Sequence, residues 1–279
     1  GKELVYSEMT PYGLYYFFND LYIYNFQQHT RKRITWGQRA YDPTWSPDEE
    51  KIAYVANKLN GSNLYLLELK SQNVRPLTQL VNCQISDPSW SPEGNRIVFT
   101  LKHDNLIDIY LYDFRQPDSL ISITNDAYVD LTPSWSPDGK YIIFSSDRNG
   151  VFNIYAFNTI NQHLTQITNF LTGGFDPKIS PDGQRIAFTG YTSQGYDVFL
   201  MNIKDGQSRP VESFTPQQIK IPAQSAADSS IKSGLTGNNY SCWRWLLPRY
   251  WLPIYMYDTK NGAWGIVTSS QDVLSQHII

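Results

Sequence analysis

The sequence offers little to a metal or a disulfide. Its two cysteines, Cys83 and Cys242, lie far apart, and a disulfide framework or a Cys-x-x-Cys site needs more of them or a closer pair. Such cysteine usage suits a reducing compartment or an exported protein that needs no staples. Four histidines, His29, His103, His163 and His277, form no His-Glu-x-x-His and no i,i+4 pair, so no metal site is expected. Neither sign of charge dominates: 23 Lys and Arg face 26 Asp and Glu, which excludes the basic surface that phosphate backbones demand. No apolar run reaches the length of a membrane helix. No nucleophile elbow of the Gly-x-Ser-x-Gly kind occurs, because Gly190, Ser193 and Gly195 have the wrong spacing. No catalytic residue and no cofactor are expected.

What the chain has is a repeat. Trp45-Ser46-Pro47-Asp48 returns as Trp90-Ser91-Pro92-Glu93, as Trp135-Ser136-Pro137-Asp138 and, weakened, as Ile179-Ser180-Pro181-Asp182, with prolines 45, 45 and 44 residues apart. Asp42-Pro43, Asp87-Pro88, Thr132-Pro133 and Asp176-Pro177 precede these boxes. Two apolar runs follow each box, and each unit closes on a short piece: Pro76-Leu77-Thr78, Ser122-Ile123-Thr124, Gln166-Ile167-Thr168 and Pro210-Val211-Glu212. Four strand-sized segments in about 45 residues, separated by turn residues, are the dimensions of a propeller blade. A single such sheet must stack on neighbours to bury its faces. The three tryptophans recur at the blade period and are expected in the core. Pro-Asp-Gly at 137–139 and 181–183 and Pro-Glu-Gly at 92–94 suit tight turns, whereas Glu49 stands where a glycine would be cheaper.

The fold class is therefore all-β, a propeller of four-stranded blades. Residues 1–41 match the later strands of a blade, so five blades are visible and the first is incomplete. The chain opens on Gly1 inside a repeat, which predicts a fragment with the rest of the propeller, and any export signal, upstream.

The units 42–86, 87–131, 132–175 and 176–212 resemble the repeats of TolB-like β-propellers, most closely at Thr132–Gly139 with Ser145–Gly150. The resemblance covers residues 1–212 and implies six blades when complete. It also implies a non-catalytic scaffold that binds protein partners in the periplasm of a Gram-negative envelope. Similar repeats form the gating domains of some peptidases, and that is the alternative, with a catalytic domain outside this chain. Residues 213–239, rich in Pro, Gln and Ser, have linker composition. Residues 240–279 are crowded with Trp and Tyr and resemble the entry into a surface-antigen-type outer-membrane barrel. The first hairpin would run through Trp251–Asp258 and Ala263–Ser270, turning at 259–262 on an Asn-Gly signal. A soluble hairpin over the propeller rim is the other reading of this segment.

Candidate binding residues follow from blade geometry. Asp42, Asp87 and Asp176 precede the innermost strand and fall at the mouth of the central channel. An acidic ring there would bind a cation or a basic partner segment, or each Asp would simply cap its own Asp-Pro turn. Arg148 sits in the turn-like run 145–150. Blade one carries an unusually long and aromatic loop, with Tyr15, Tyr16 and Phe17, and such loops on rigid scaffolds often carry binding sites. It either meets a partner or packs on the linker or a missing strand.

Overall fold

The computed structural model describes residues 1–12, 16–206, 209–211, 216–220, 250–258 and 261–269. The chain divides into two compact units, Gly1–Ser225 and Ala226–Ile279.

The first unit is a succession of antiparallel blades. Blade 1 is β1 (Glu3–Tyr12), β2 (Tyr16–Asn25) and β3 (Thr30–Arg33). Blade 2 is β4 (Ala40–Trp45), β5 (Lys51–Lys58), β6 (Gly61–Glu68) and β7 (Asn73–Pro76). Blade 3 is β8 (Cys83–Trp90), β9 (Arg96–His103), β10 (Leu106–Asp113) and β11 (Ser119–Ser122). Blade 4 is β12 (Asp130–Trp135), β13 (Tyr141–Ser146), β14 (Asn153–Asn158) and β15 (Leu164–Gln166), and blade 5 is β16 (Gly174–Ile179), β17 (Arg185–Thr192) and β18 (Gly195–Asn202). The inner strands β4, β8, β12 and β16 lie side by side in that order, and β1 lies against β4. Among the described residues, blade 1 has no inner strand of its own.

Each Trp-Ser-Pro box is a turn tied by its serine. Ser46, Ser136 and Ser180 donate to the Asp two residues on, while the Ser hydroxyl accepts from the amide five residues on, at Lys51, Arg96, Tyr141 and Arg185. The fourth residue of the turn is left-handed, with φ of 71° at Gly94 and 69° at Gly139 but also 57° at Glu49. A side chain is forced there into a region glycine enters freely. Blades 2 and 3 touch backbone to backbone at Gly61 and Cys83, and a Cβ on Gly61 would come within 2.3 Å of the Cys83 carbonyl oxygen. Cys83 itself is buried.

Between blades the cores follow the repeat. Trp90 and Trp135, each 8% exposed, join the clusters of the 2–3 and 3–4 junctions, and half-buried Trp45 borders that of the 1–2 junction.

Blade 5 differs from expectation. Of the closing piece expected at 210–212, the described residues Pro210 and Val211 do not pair with β18. Instead β19 (Arg209–Pro210) adds to β15 of blade 4, and Val211 donates its amide to the Leu164 carbonyl and packs against the 3–4 core. That edge gives Val211 a partly buried apolar site, whereas β18 is largely exposed, with Val198 at 81% and Leu200 at 62%. Within the stretch of linker composition, β20 (Gln217–Lys220) adds to β11 of blade 3. Gln218 Nε2 donates to Gln116 and Ser119.

In the second unit, β21 (Tyr250–Asp258) and β22 (Asn261–Ser269) form a hairpin paired from Tyr250↔Ser269 to Asp258↔Asn261. Asn261 and Gly262 are therefore strand residues rather than the turn centre expected from their dipeptide. The rest of 240–279 lies outside the described residues. Among the described residues no helix is long and apolar enough to cross a membrane.

Candidate functional site: inner-strand bulges and an acidic cluster

Each complete inner strand carries one bulge at the same place. Pairing slips between Tyr41 and Thr44, Ser86 and Ser89, Leu131 and Ser134, and Phe175 and Lys178. The residue before proline is left-handed in all four, with φ of 47°, 54°, 52° and 52° at Asp42, Asp87, Thr132 and Asp176. Asp tolerates this region, and a β-branched Thr does so only when held. The Thr132 amide donates to Thr100 Oγ1, and its hydroxyl lies 3.2 Å from Ser145 Oγ. A bulge re-aims side chains, and here it turns a polar one out of each inner strand.

The acids do not cap their own turns. Asp42 Oδ2 accepts from the Asp87 amide of the next blade at 3.2 Å, and Ser86 Oγ donates to Asp87. Burial raises the Asp42 carboxyl above the usual range, opposed by the hydrogen bond from the Asp87 amide and assisted by the Asp87 charge. Burial and the charge of Asp87 likewise raise Asp176. Lys178 reaches solvent but is crowded by the surrounding chain, which lowers its ammonium against the pull of Asp87 and Asp176. Asp42, Asp87, Asp176 and Lys178 therefore act on one another across three blades. Lys178 was not singled out from sequence, although it follows the Asp-Pro pair directly.

Tyr12 and Tyr16–Phe18 of the aromatic stretch of blade 1 are strand rather than loop. β1 and β2 pair residue for residue up to Tyr12↔Tyr16, whereas the β4–β5 ladder sets Asp42 opposite the middle of β5. Tyr16 and Phe17 are 65% and 61% exposed, and Tyr16 stacks with Phe18 beneath the Arg39 guanidinium. Tyr15 lies outside the described residues.

Arg148 points inward. Its side chain is 7% exposed and pairs with Asp130 at 2.8 Å and Asp126 at 3.2 Å, over the rings of Tyr128, Phe144 and Tyr155. A ligand would have to displace those carboxylates to reach it. Asp108, Asp126 and Asp130 bring carboxylate oxygens within 4.8 Å of one another, and the guanidinium occupies the place of positive charge among them. Asp108 has no such cation. Burial pushes its carboxyl up to about 6, although the Asp126 amide and Thr124 hydroxyl donate to it.

The acid belongs to a device present in four blades. Asp20, Asn63, Asp108 and Asn153 each accept from a Thr hydroxyl (Thr35, Thr78, Thr124, Thr168) and from an amide two residues beyond that Thr. Asp20 is balanced by Arg33 at 2.6 Å, the two Asn are neutral, and Asp108 is the exception. Its sixteen-residue offset from the box proline, shared with Asn63 and Asn153, was the legible signal.

The family model of the TolB beta propeller domain matches residues 34–209. The chain belongs to the TolB β-propeller domain family. Its structure is similar to TolB from Acinetobacter baumannii, with a TM-score of 0.61 and 22% identity over 93% of this chain and 58% of that one. The chain thus spans less than two thirds of that protein. It is also similar to a putative TolB from Agrobacterium tumefaciens, with a TM-score of 0.61 and 23% identity over 77% of this chain and 82% of that one. A puromycin-hydrolysing peptidase from Mycobacterium tuberculosis shares the fold at a TM-score of 0.54 and 14% identity, over 69% of this chain and 35% of that one. No curated protein matches the chain. At these identities the structural likenesses concern the TolB-type fold, which hosts many functions.

Proposed function

We propose that this TolB-type propeller is a non-catalytic protein-interaction scaffold of a Gram-negative cell envelope. In this reading it works in the periplasm, and the 240–279 segment attaches it to the outer membrane as the start of a barrel. The observation that carries the binding role is the repeated left-handed bulge, which turns Asp42, Asp87 and Asp176 out of three of the four inner strands, with Lys178 close to the last two. Exposed Tyr16 and Phe17 of blade 1 supply apolar contact. A basic partner segment would meet acids already crowded together, and exposed aromatics on a polar rim are common anchors.

The test uses cells expressing the full-length gene with a tag in the β5–β6 turn at Asn60. Recovery in the outer-membrane fraction through salt and carbonate washes is expected, and recovery as soluble protein overturns the attachment. Cross-linking then compares the wild type with Asp42→Asn/Asp87→Asn/Asp176→Asn, since Asn also tolerates the left-handed region. Loss of a captured envelope protein is expected. Identical capture removes the acids from the binding role.

A further inference from the structure

The boxes place one large residue of each blade against one apolar residue of the blade before it. Trp90 shares a core with Leu66, and Trp135 shares one with Leu111. Trp45 and Ile23 meet in the same way at the 1–2 junction. At the 4–5 junction both partners are cut down. Ile179 stands where the repeat has Trp, and Ala156 stands where blades 2 and 3 have Leu. A cavity of about 700 Å³ lies there, walled by Ile143, Ala156, Ile167, Ile179, Ile186 and Ile203.

Truncated core positions leave a void unless the walls collapse. Here the walls are pinned apart. Ser134 Oγ of β12 donates to the Pro177 carbonyl of β16 at 2.7 Å. The boxes on either side are held as turns by Ser136 and Ser180. Those turns also rim the cavity, with Asp138 and Asp182 at its mouth. The Ser136 and Ser180 hydroxyls hold both carboxyls below the usual range. Lys140, 3.7 Å from Asp138 and largely exposed, and nearby Arg185 are their weak surface partners at the rim.

We propose that the junction between blades 4 and 5 is a binding site for an aromatic group one or two rings wide with a cationic end. The sister junctions define the shape, since they fill the same place with an indole. The rim carboxylates define the charge. The volume falls within the roughly 300–1,000 Å³ of small-ligand pockets. The group comes either from a free aromatic amine or from a Trp or Phe beside a Lys or Arg in a partner chain. This site is separate from the inner-strand acids and does not depend on the scaffold reading.

The test is calorimetric titration of the full chain with tryptamine, indole-3-acetate and the capped dipeptide Trp-Lys. Saturable one-to-one binding of tryptamine is expected, about tenfold tighter than indole-3-acetate. A dipeptide about tenfold tighter than tryptamine points to a partner chain, and a weaker one to a free amine. Ile179→Trp refills the cavity from within, so it should raise Tm and abolish binding. Ala156→Leu, a milder filling, should weaken binding about tenfold and serves if the first variant does not fold. Binding that persists in both variants overturns the site. So does the absence of saturation by every probe while both variants raise Tm, which would leave only a packing defect.

Discussion

The junction between blades 3 and 4 and the junction between blades 4 and 5 are written in the same repeat and packed differently. The first sets Trp135 against Leu111, adds Phe144, Tyr155 and Phe157, and receives Val211 from the chain that leaves blade 5. The second sets Ile179 against Ala156 and keeps a cavity. The two truncated residues contribute to the difference, because interiors are close-packed and ties between the blades keep them at a set distance. The buried charges differ as well. Arg148, Asp126 and Asp130 stand with Asp108 behind the 3–4 junction, while the position of blade 4 that matches Asp108 is the neutral Asn153.

The largest change should come from Arg148→Met, which strands Asp126 and Asp130 without a cation. A loss of about 3–5 kcal/mol is expected in urea unfolding. A loss of less than about 1 kcal/mol would mean that the cluster is solvated and the two junctions are electrically alike.

Trp135→Ala should cost about 3–4 kcal/mol, against about 1 kcal/mol for Ile179→Ala, whose site is already open. Equal losses would erase the packing contrast.

Asp108→Asn tests the third difference through pH. The folded carboxyl titrates at about 6, above its unfolded value near 3.9, so the folded state holds this proton more tightly. The resulting stability is fully present below pH ~4 and is lost as pH rises through about 6. The Asn variant escapes that loss and should be more stable by up to about 2 kcal/mol at pH 7, with no gain at pH 4. The native Asn at 63 and 153 shows that the site accepts an amide. A gain independent of pH would refute the assignment to Asp108.

Smallest is Glu49→Gly, which relieves the one box turn lacking glycine. Its Tm should rise with a gain of about 0.5–1 kcal/mol, the strain removed less the added freedom of the unfolded chain. No change would mean that the Ser46 and Asp48 bonds already absorb the strain.

Much of the propeller was legible because blade structure is local. The box prolines and the apolar runs between them mark strands and turns without knowledge of any distant contact. Glu49 was recognised as the costlier turn for that reason, and its φ of 57° agrees. The candidate site was less legible. Asp42 reaches the amide of Asp87, 45 residues away, and nothing local distinguishes that bond from a cap on its own turn. Arg148 looked like a turn residue, and only folding places it over three rings and two carboxylates. Tyr16 and Phe17 read as loop because the aromatic run hides a period of two, whereas the ladder continues through them.

By itself the sequence determined the repeat, and with it the blade as the unit, the tight turns and the interior place of the tryptophans. A 45-residue period of apolar strands has few other ways to bury its faces. Tertiary structure alone decided where the edges close. The strand expected to complete blade 5 pairs with blade 4 instead, because backbone hydrogen bonding is indifferent to sequence and an edge accepts whichever strand also buries its side chain. It alone also decided that Ile179 and Ala156, 23 residues apart, face the same space and leave it empty.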